Sequence, residues 1–260
     1  MSLAHRAVYP TQAAPLARTL DDLFAATPAS DPVDGTLVAL LVPDTNRLSG
    51  GEAAARAFAL MRGVDPETVV IISPSHEGAF GRLSICQTDT YQTPLGHVPV
   101  NDGLRNELCD EDDDIFLDDT GHFHVEGADV QLPFLQRVLG DGFDTVPIVM
   151  GEETPAFCRE LGAAVGEVLY AHRAVVVGSA DVLSAEGDAL ERFRTALEAF
   201  DESELMHLLG SEAVRVEGMG AVITTMIAAR HRGATHARVL ALTDATDEAP
   251  GVLACAFWRA

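Results

Sequence analysis

The amino-acid sequence predicts an α/β protein with a mostly parallel central sheet flanked by helices. Short apolar runs, many of them β-branched, alternate with longer stretches whose apolar residues recur every three or four positions. This alternation is typical of strands that crossover helices bury on both faces. The chain has 260 residues, of which 47% are hydrophobic, enough for one large core. We therefore expect one domain that spans residues 1–260.

Five runs are predicted as core strands because they are nearly continuous in apolar residues, so that both of their faces should be buried. They are residues 36–42, 68–72, 145–150, 174–177 and 238–242. Two further strands are predicted at residues 83–88 and 252–258.

Five stretches have the apolar periodicity of amphipathic helices. They are residues 51–61, 130–139, 155–169, 189–209 and 218–230. The carboxylate-rich stretch 109–119 interrupts this order, and we interpret it as a solvated loop.

The composition excludes several classes of partner. The formal net charge is -23 and all 17 basic residues are arginine, which argues against binding to nucleic acid or to an anionic membrane surface. The four cysteines lie far apart without a C-x-x-C pair, so we expect free thiols rather than a zinc ribbon. No secretory leader and no apolar run of roughly 20 residues is found, so a cytoplasmic protein is expected.

Two polar motifs follow predicted strands. Residues 42–44 read V-P-D after the first core strand, and residues 73–76 read S-P-S-H after the second. An open α/β sheet places its ligand crevice outside the carboxyl ends of its strands. Asp44 and His76 are therefore predicted to be neighbours in one site.

Other polar residues could join them. Glu217 lies at the predicted start of a helix, and together with Asp44 and His76 it makes a set of one imidazole and two carboxylates, which suits Mn²⁺ or Mg²⁺. His122, His124, Glu126 and Asp129 form a second group of potential ligands.

Each of these residues also has a structural interpretation. Asp44 and Asp181 are typical turn or cap residues, and Glu217 would favour a helix N-terminus through the helix dipole. Other enzyme signatures are absent from the sequence. Ser179 lacks the glycines of a nucleophile elbow, and the glycines at 218 and 220 lack both a third glycine and a predicted strand before them.

In their order, the motifs resemble the Memo family, whose members look like class III extradiol dioxygenases in fold and often neighbour radical SAM genes (the AmmeMemoRadiSam system). Residues 93–96 match the family's T-P-L-G, and residues 131–136 match its Q-L-P-F-L-Q. The family opens with the motif G-S-W-Y-P, of which this chain keeps the last two residues as Tyr9 and Pro10. His76, in the family's G-P-S-H motif, matches its second metal ligand.

The resemblance also implies that the metal site has changed. Asp44 stands where V-P-H-A-G-Y has its first metal-ligand histidine, and Glu126 replaces another site histidine. If the alignment is shifted by one residue, Asp181 could take the place of the aspartate in the family's S-S-D-x-S-H motif. The family has a further ligand just before a glycine, and Glu217 occupies that position. The implied metal ligands are Asp44, His76 and Glu217, with His124, Glu126 and Asp181 as candidate catalytic acids or bases.

Three functions are compatible with these residues. The first is a diverged, non-catalytic or altered-activity binding protein, with a small-molecule ligand in the pocket or a radical SAM system partner. The second is a metal-dependent enzyme, dioxygenase-like or hydrolytic, that uses the rebuilt site. The third is an unrelated α/β hydrolase or transferase. The cofactor is either a divalent metal or none.

Overall fold

The computed structural model describes residues 8–27, 33–111, 114–122 and 127–260. The helices are α1 (Ala13–Ala26), α2 (Gly51–Phe58), α3 (Asp102–Glu111), α4 (Ala128–Leu139), α5 (Pro155–Val168), α6 (Ala189–Ala199), α7 (Glu202–Gly210) and α8 (Met219–His231). The strands are β1 (Thr36–Val42), β2 (Thr68–Pro74), β3 (Leu83–Ile85), β4 (Thr90–Thr93), β5 (Gly96–Pro99), β6 (Ile115–Leu117), β7 (Asp144–Met150), β8 (Ala174–Ser179), β9 (Asp181–Ala185), β10 (Val214–Glu217), β11 (His236–Leu242) and β12 (Gly251–Arg259).

Within the described residues, ten strands form one sheet in the order β10-β9-β12-β1-β8-β2-β7-β3-β6, and β11 pairs with β12. Its centre, β1-β8-β2-β7, is parallel, whereas β12, β9, β10 and β11 extend one side with antiparallel pairs. This confirms the predicted α/β class with its mostly parallel central sheet.

Helices cover both faces of the sheet, and alternate strand residues supply the two halves of the core. In β2, Val70 and Ile72 join the cluster under α5 and α8, while Val69 and Ile71 join the cluster under α1, α2 and α4. At Gly178 a Cβ atom would lie 2.2 Å from Thr225 Oγ1 on α8. The glycine therefore permits α8 to pack closely on β8.

Two predicted elements differ in detail. The helix predicted at 189–209 is two helices, α6 and α7, because Phe200 adopts a left-handed conformation (φ 55°) and the Asp201 side chain accepts a hydrogen bond from the Glu204 amide as the cap of α7. Strand β11 is mostly only half-buried rather than covered on both faces, because it hydrogen-bonds to β12 alone among the described strands.

Regular elements also occur where none was predicted. Parts of α3 and β6 occupy the stretch 109–119. Strand β10 ends at Glu217 and leads directly into α8, although no strand was predicted there. Its short, polar and partly exposed sequence lacks the apolar run by which core strands are recognised. Among the described residues, no helix is both long and apolar enough to cross a bilayer.

Candidate functional site

The candidate site lies where the parallel strands end. Asp44 follows β1 by two residues, His76 follows β2 by two residues, and Ser179 is the last residue of β8. Because β1, β8 and β2 run parallel and side by side, their carboxyl ends meet at one edge of the sheet. The adjacent antiparallel pair of β9 and β10 adds Asp181 and Glu217, which are partners in its register.

Asp44 is 1% exposed and engaged on every side. Its Oδ1 accepts a hydrogen bond from Ser179 Oγ at 2.6 Å, and its Oδ2 lies 2.7 Å from His76 Nε2. Its backbone amide donates to Asp181 Oδ1 at 3.0 Å. The carboxylate therefore holds together three strand ends rather than only capping a turn.

His76 lies between two carboxylates. While Nε2 faces Asp44, Nδ1 lies 3.6 Å from Glu217 Oε1, and the Glu217 side chain is 46% exposed. The contact with His76 lowers the pKa of the Glu217 carboxyl, against the effect of its partial burial. Both contacts are ion pairs when the imidazole carries a positive charge, and at 3.6 Å the contact with Glu217 is longer than a hydrogen bond. We call Asp44, His76 and Glu217 the acidic-histidine triad.

Asp181 and Tyr9 flank the triad. Asp181 is 3% exposed and is the first residue of β9 rather than an exposed turn residue. Burial, and secondly the charge of Asp181, raise the pKa of the Tyr9 phenol. The Tyr9 amide donates to Asn46 O at 3.0 Å, which fixes the segment that carries Tyr9 beside the loop after β1.

Glu153 belongs to the site but was not predicted. Its Oε2 accepts a hydrogen bond from the Gly220 amide at 3.0 Å, near the start of α8. Burial raises the pKa of the Glu153 carboxyl to about 6, with the charges of Asp44 and Glu217 adding to the rise and the Gly220 and His76 contacts opposing it. The available signal was its position, three residues beyond the carboxyl end of β7.

The triad does not share one coordination point. Asp44 and Glu217 face opposite nitrogens of the His76 ring, and a single metal ion can bind only one of those nitrogens. Throughout the part of the chain that the structure describes, no group of three or more His, Cys, Asp or Glu residues could hold a metal ion. In this geometry the three side chains do not fit a three-ligand metal centre.

The second predicted group of potential ligands does not join the triad in the described residues. It consists of His122, His124, Glu126 and Asp129. His124 and Glu126 lie outside the described residues. His122 is buried against β3, where its Nε2 lies 3.3 Å from both Ser84 Oγ and Ser84 O. Asp129 accepts a hydrogen bond from Tyr91 OH at 3.4 Å.

His122 makes the stability of the protein depend on pH. Burial lowers the pKa of its imidazole from 6.5 to about 4. Between pH 6.5 and 4, His122 therefore binds a proton in the unfolded chain but stays neutral in the folded chain. The free energy of unfolding falls as the pH falls through this interval. We expect this residue alone to remove about 3 kcal/mol over that interval.

Urea unfolding of the wild type and of His122→Gln, at about pH 7 and about pH 4.5, measures this contribution. The variant should lose less stability on acidification than the wild type, whereas His207→Gln, at an exposed position, should behave like the wild type. Equal acid sensitivity of His122→Gln and wild type would contradict a neutral, buried His122.

A cavity of about 360 Å³ opens beside the triad. Asp181 and Glu217 line it together with Thr45, Arg47 and Thr246. The site thus combines a charged inner triad with a cavity large enough for a small polar molecule.

Comparisons with known proteins agree on one family. The family model described as Memo-like protein matches residues 2–251. A MEMO1 family protein of Ignicoccus hospitalis is 32% identical, over 78% of this chain and 74% of that protein. A MEMO1 family protein of Methanobrevibacter smithii is 28% identical, over 92% of this chain and 90% of that protein.

A solved structure supports the fold alone. It is the crystal structure of an uncharacterized protein from Escherichia coli K12, with a TM-score of 0.60 and 14% identity over 85% of this chain and 99% of that chain. The sequence matches exclude the interpretation as an unrelated α/β hydrolase or transferase. The chain belongs to the Memo-like protein family.

Proposed function

We propose that this protein is a non-catalytic, ligand-binding member of the Memo family, in which the acidic-histidine triad stands in place of a metal centre. The observation that carries the proposal is the position of His76, whose Nε2 lies 2.7 Å from Asp44 and whose Nδ1 lies 3.6 Å from Glu217. In this arrangement the ring serves as the cation between two carboxylates. Neither nitrogen then presents a free lone pair to a metal ion.

Internal contacts also occupy the other polar groups of the site. Ser179 Oγ donates to Asp44, and Asp181 accepts from the Asp44 amide. A catalytic base would instead need an acceptor directed at a reacting group. The proposed ligand is a small polar molecule in the cavity that Asp181 and Glu217 line.

Elemental analysis tests the absence of a resident metal. Wild type, His76→Ala and the matched control His97→Ala, at an exposed histidine of β5, are purified without chelator. We expect well below one metal ion per chain in all three proteins, including after incubation with Mn²⁺ and removal of the excess. Stoichiometric metal in wild type and His97→Ala, with loss in His76→Ala, would refute the proposal.

A metal-dependent enzyme is the second candidate, because several carboxylates converge on the same strand ends. Asp44, Asp181 and Glu217 lie around a single histidine, and such a concentration of negative charge attracts a cation. This function would require His76 or Glu217 to move from the observed position so that one nitrogen and both carboxylates face a common point. The metal-binding outcome described above would favour it.

A further inference from the structure

A second cavity lies at the opposite end of the sheet from the triad. It has a volume of about 170 Å³ and lies where β1 and β8 begin and β12 ends. Helix α8 connects the two regions, since Gly220 near its start contacts Glu153 and Arg232 caps its end. Arg173, Arg232 and Arg259 are among the residues that line the cavity.

Arg232 is a buried cation with an unused donor. It is 8% exposed, and its Nη1 and Nη2 donate to the carbonyl oxygens of Val38 and His172 at 3.2 and 3.3 Å. Its Nε is buried and has no hydrogen-bond acceptor among the described residues. Burial, and secondly the proximity of Arg259, lower the pKa of this guanidinium to about 10.

No protein carboxylate neutralises this pair of arginines. In the described ranges, no carboxylate oxygen lies within 4.0 Å of a side-chain nitrogen of Arg232 or Arg259. The acidic residue that lines the cavity, Asp65, lies 2.8 Å from Arg173 instead. Two like charges are thus left side by side in a chain whose net charge is -23.

A purely structural role explains only part of this arrangement. The C-terminal end of α8 and the two carbonyl oxygens favour a cation at Arg232. They account for Nη1 and Nη2, but they leave the buried Nε without an acceptor and give no reason for Arg259 to lie nearby. The buried Nε is closed to a ligand in the cavity, so an anion would bind through the combined positive charge of the two guanidinium groups, of which the exposed Arg259 is the more accessible.

We propose that Arg232 and Arg259 form a binding site for a small oxyanion of the phosphate type. Guanidinium groups match the oxygens of phosphate in charge and geometry. One water occupies about 30 Å³ in the liquid, so the cavity has room for a group of five heavy atoms. The anion is either free in solution or the terminal phosphate of a larger molecule.

Calorimetric titration with inorganic phosphate tests this site. Sodium chloride at matched ionic strength corrects for screening of the acidic protein. The variants are Arg259→Gln, Arg232→Lys and the matched control Arg215→Gln, at an exposed arginine of β10. We expect saturable binding to wild type and Arg215→Gln, and an affinity about tenfold lower in Arg259→Gln.

Arg259 lies on the surface, so its replacement should leave the fold intact even if Arg232→Lys does not fold. A parallel titration with glycerol phosphate distinguishes the two sources of the anion. Tighter binding of the ester would indicate a larger ligand, and equal affinities a free oxyanion, and either result supports the site. The absence of saturable binding, or an unchanged affinity in Arg259→Gln, would overturn the proposal.

Discussion

His76→Ala is expected to destabilise the folded protein by about 3 kcal/mol, since removal of one partner leaves a buried charge uncompensated. Asp44 is 1% exposed, and among the described residues the hydrogen bond from Ser179 Oγ at 2.6 Å is the contact that its carboxylate would keep in the variant. The carboxylate is too deep in the structure for water to replace the imidazole fully. The loss should therefore exceed that of a surface ion pair.

A double-mutant cycle separates the pair from other effects of the substitution. Urea unfolding of wild type, His76→Ala, Asp44→Asn and the double variant, all in chelator, gives the coupling energy between the two side chains. We expect about 2 kcal/mol, because the double variant no longer contains a buried unpaired carboxylate. His97→Ala serves as the surface control.

The coupling also discriminates between the two candidate functions. A triad that replaces the metal is self-sufficient, so its coupling energy should be the same with and without divalent cations. In a rebuilt metal centre, Asp44 and Glu217 would instead repel each other when chelator removes the metal. Addition of Mn²⁺ would then raise the free energy of unfolding of the wild type, because the ion binds the folded state. A coupling near zero in chelator would therefore remove the basis of the proposed function.

The sequence was sufficient to bring Asp44 and His76 together, because both follow apolar strands and parallel strands end at a common edge. Glu217 was proposed from its position at a predicted helix start, and the resemblance to the Memo family placed it at a ligand position. The nitrogen that each carboxylate faces could not be predicted, since it depends on side-chain rotamers and on the approach of β10 from residues far along the chain. Glu153 was missed because a carboxylate in an acidic chain carries no motif of its own.

The same limit applies to the fold. Long apolar runs identified the strands of the parallel centre, whereas the short, polar β10 has no such signal. The break between α6 and α7 depends on one left-handed residue, Phe200, and on the Asp201 cap, and neither interrupts the apolar periodicity. The cavity at Arg232 could not be predicted either, because its arginines lie after α8, before β8 and at the end of β12 and meet only in the folded chain.

Phe134→Ala is expected to cost about 4 kcal/mol of unfolding free energy, the range for a large side chain removed from a packed core. The ring is fully buried on α4, stacks on Phe58 at 5.3 Å between centroids, and receives edge contacts from Tyr9 and Phe24 at 5.7 and 5.8 Å. Such aromatic pairs add to the effect of area burial.

Comparison of three variants isolates the role of this ring cluster. Phe134→Leu keeps much of the apolar volume and should cost about 1.5 kcal/mol, while Phe116→Ala, at a residue that is 46% exposed on β6, should change stability by about 0.5 kcal/mol or less. Tyr9 contacts the Phe134 ring, and the charge of Asp181 raises the pKa of the Tyr9 phenol. The ring cluster therefore joins the α1 and α2 side of the core to the candidate site. Equal losses for Phe134→Ala and Phe116→Ala would contradict a stabilising role of the buried ring cluster.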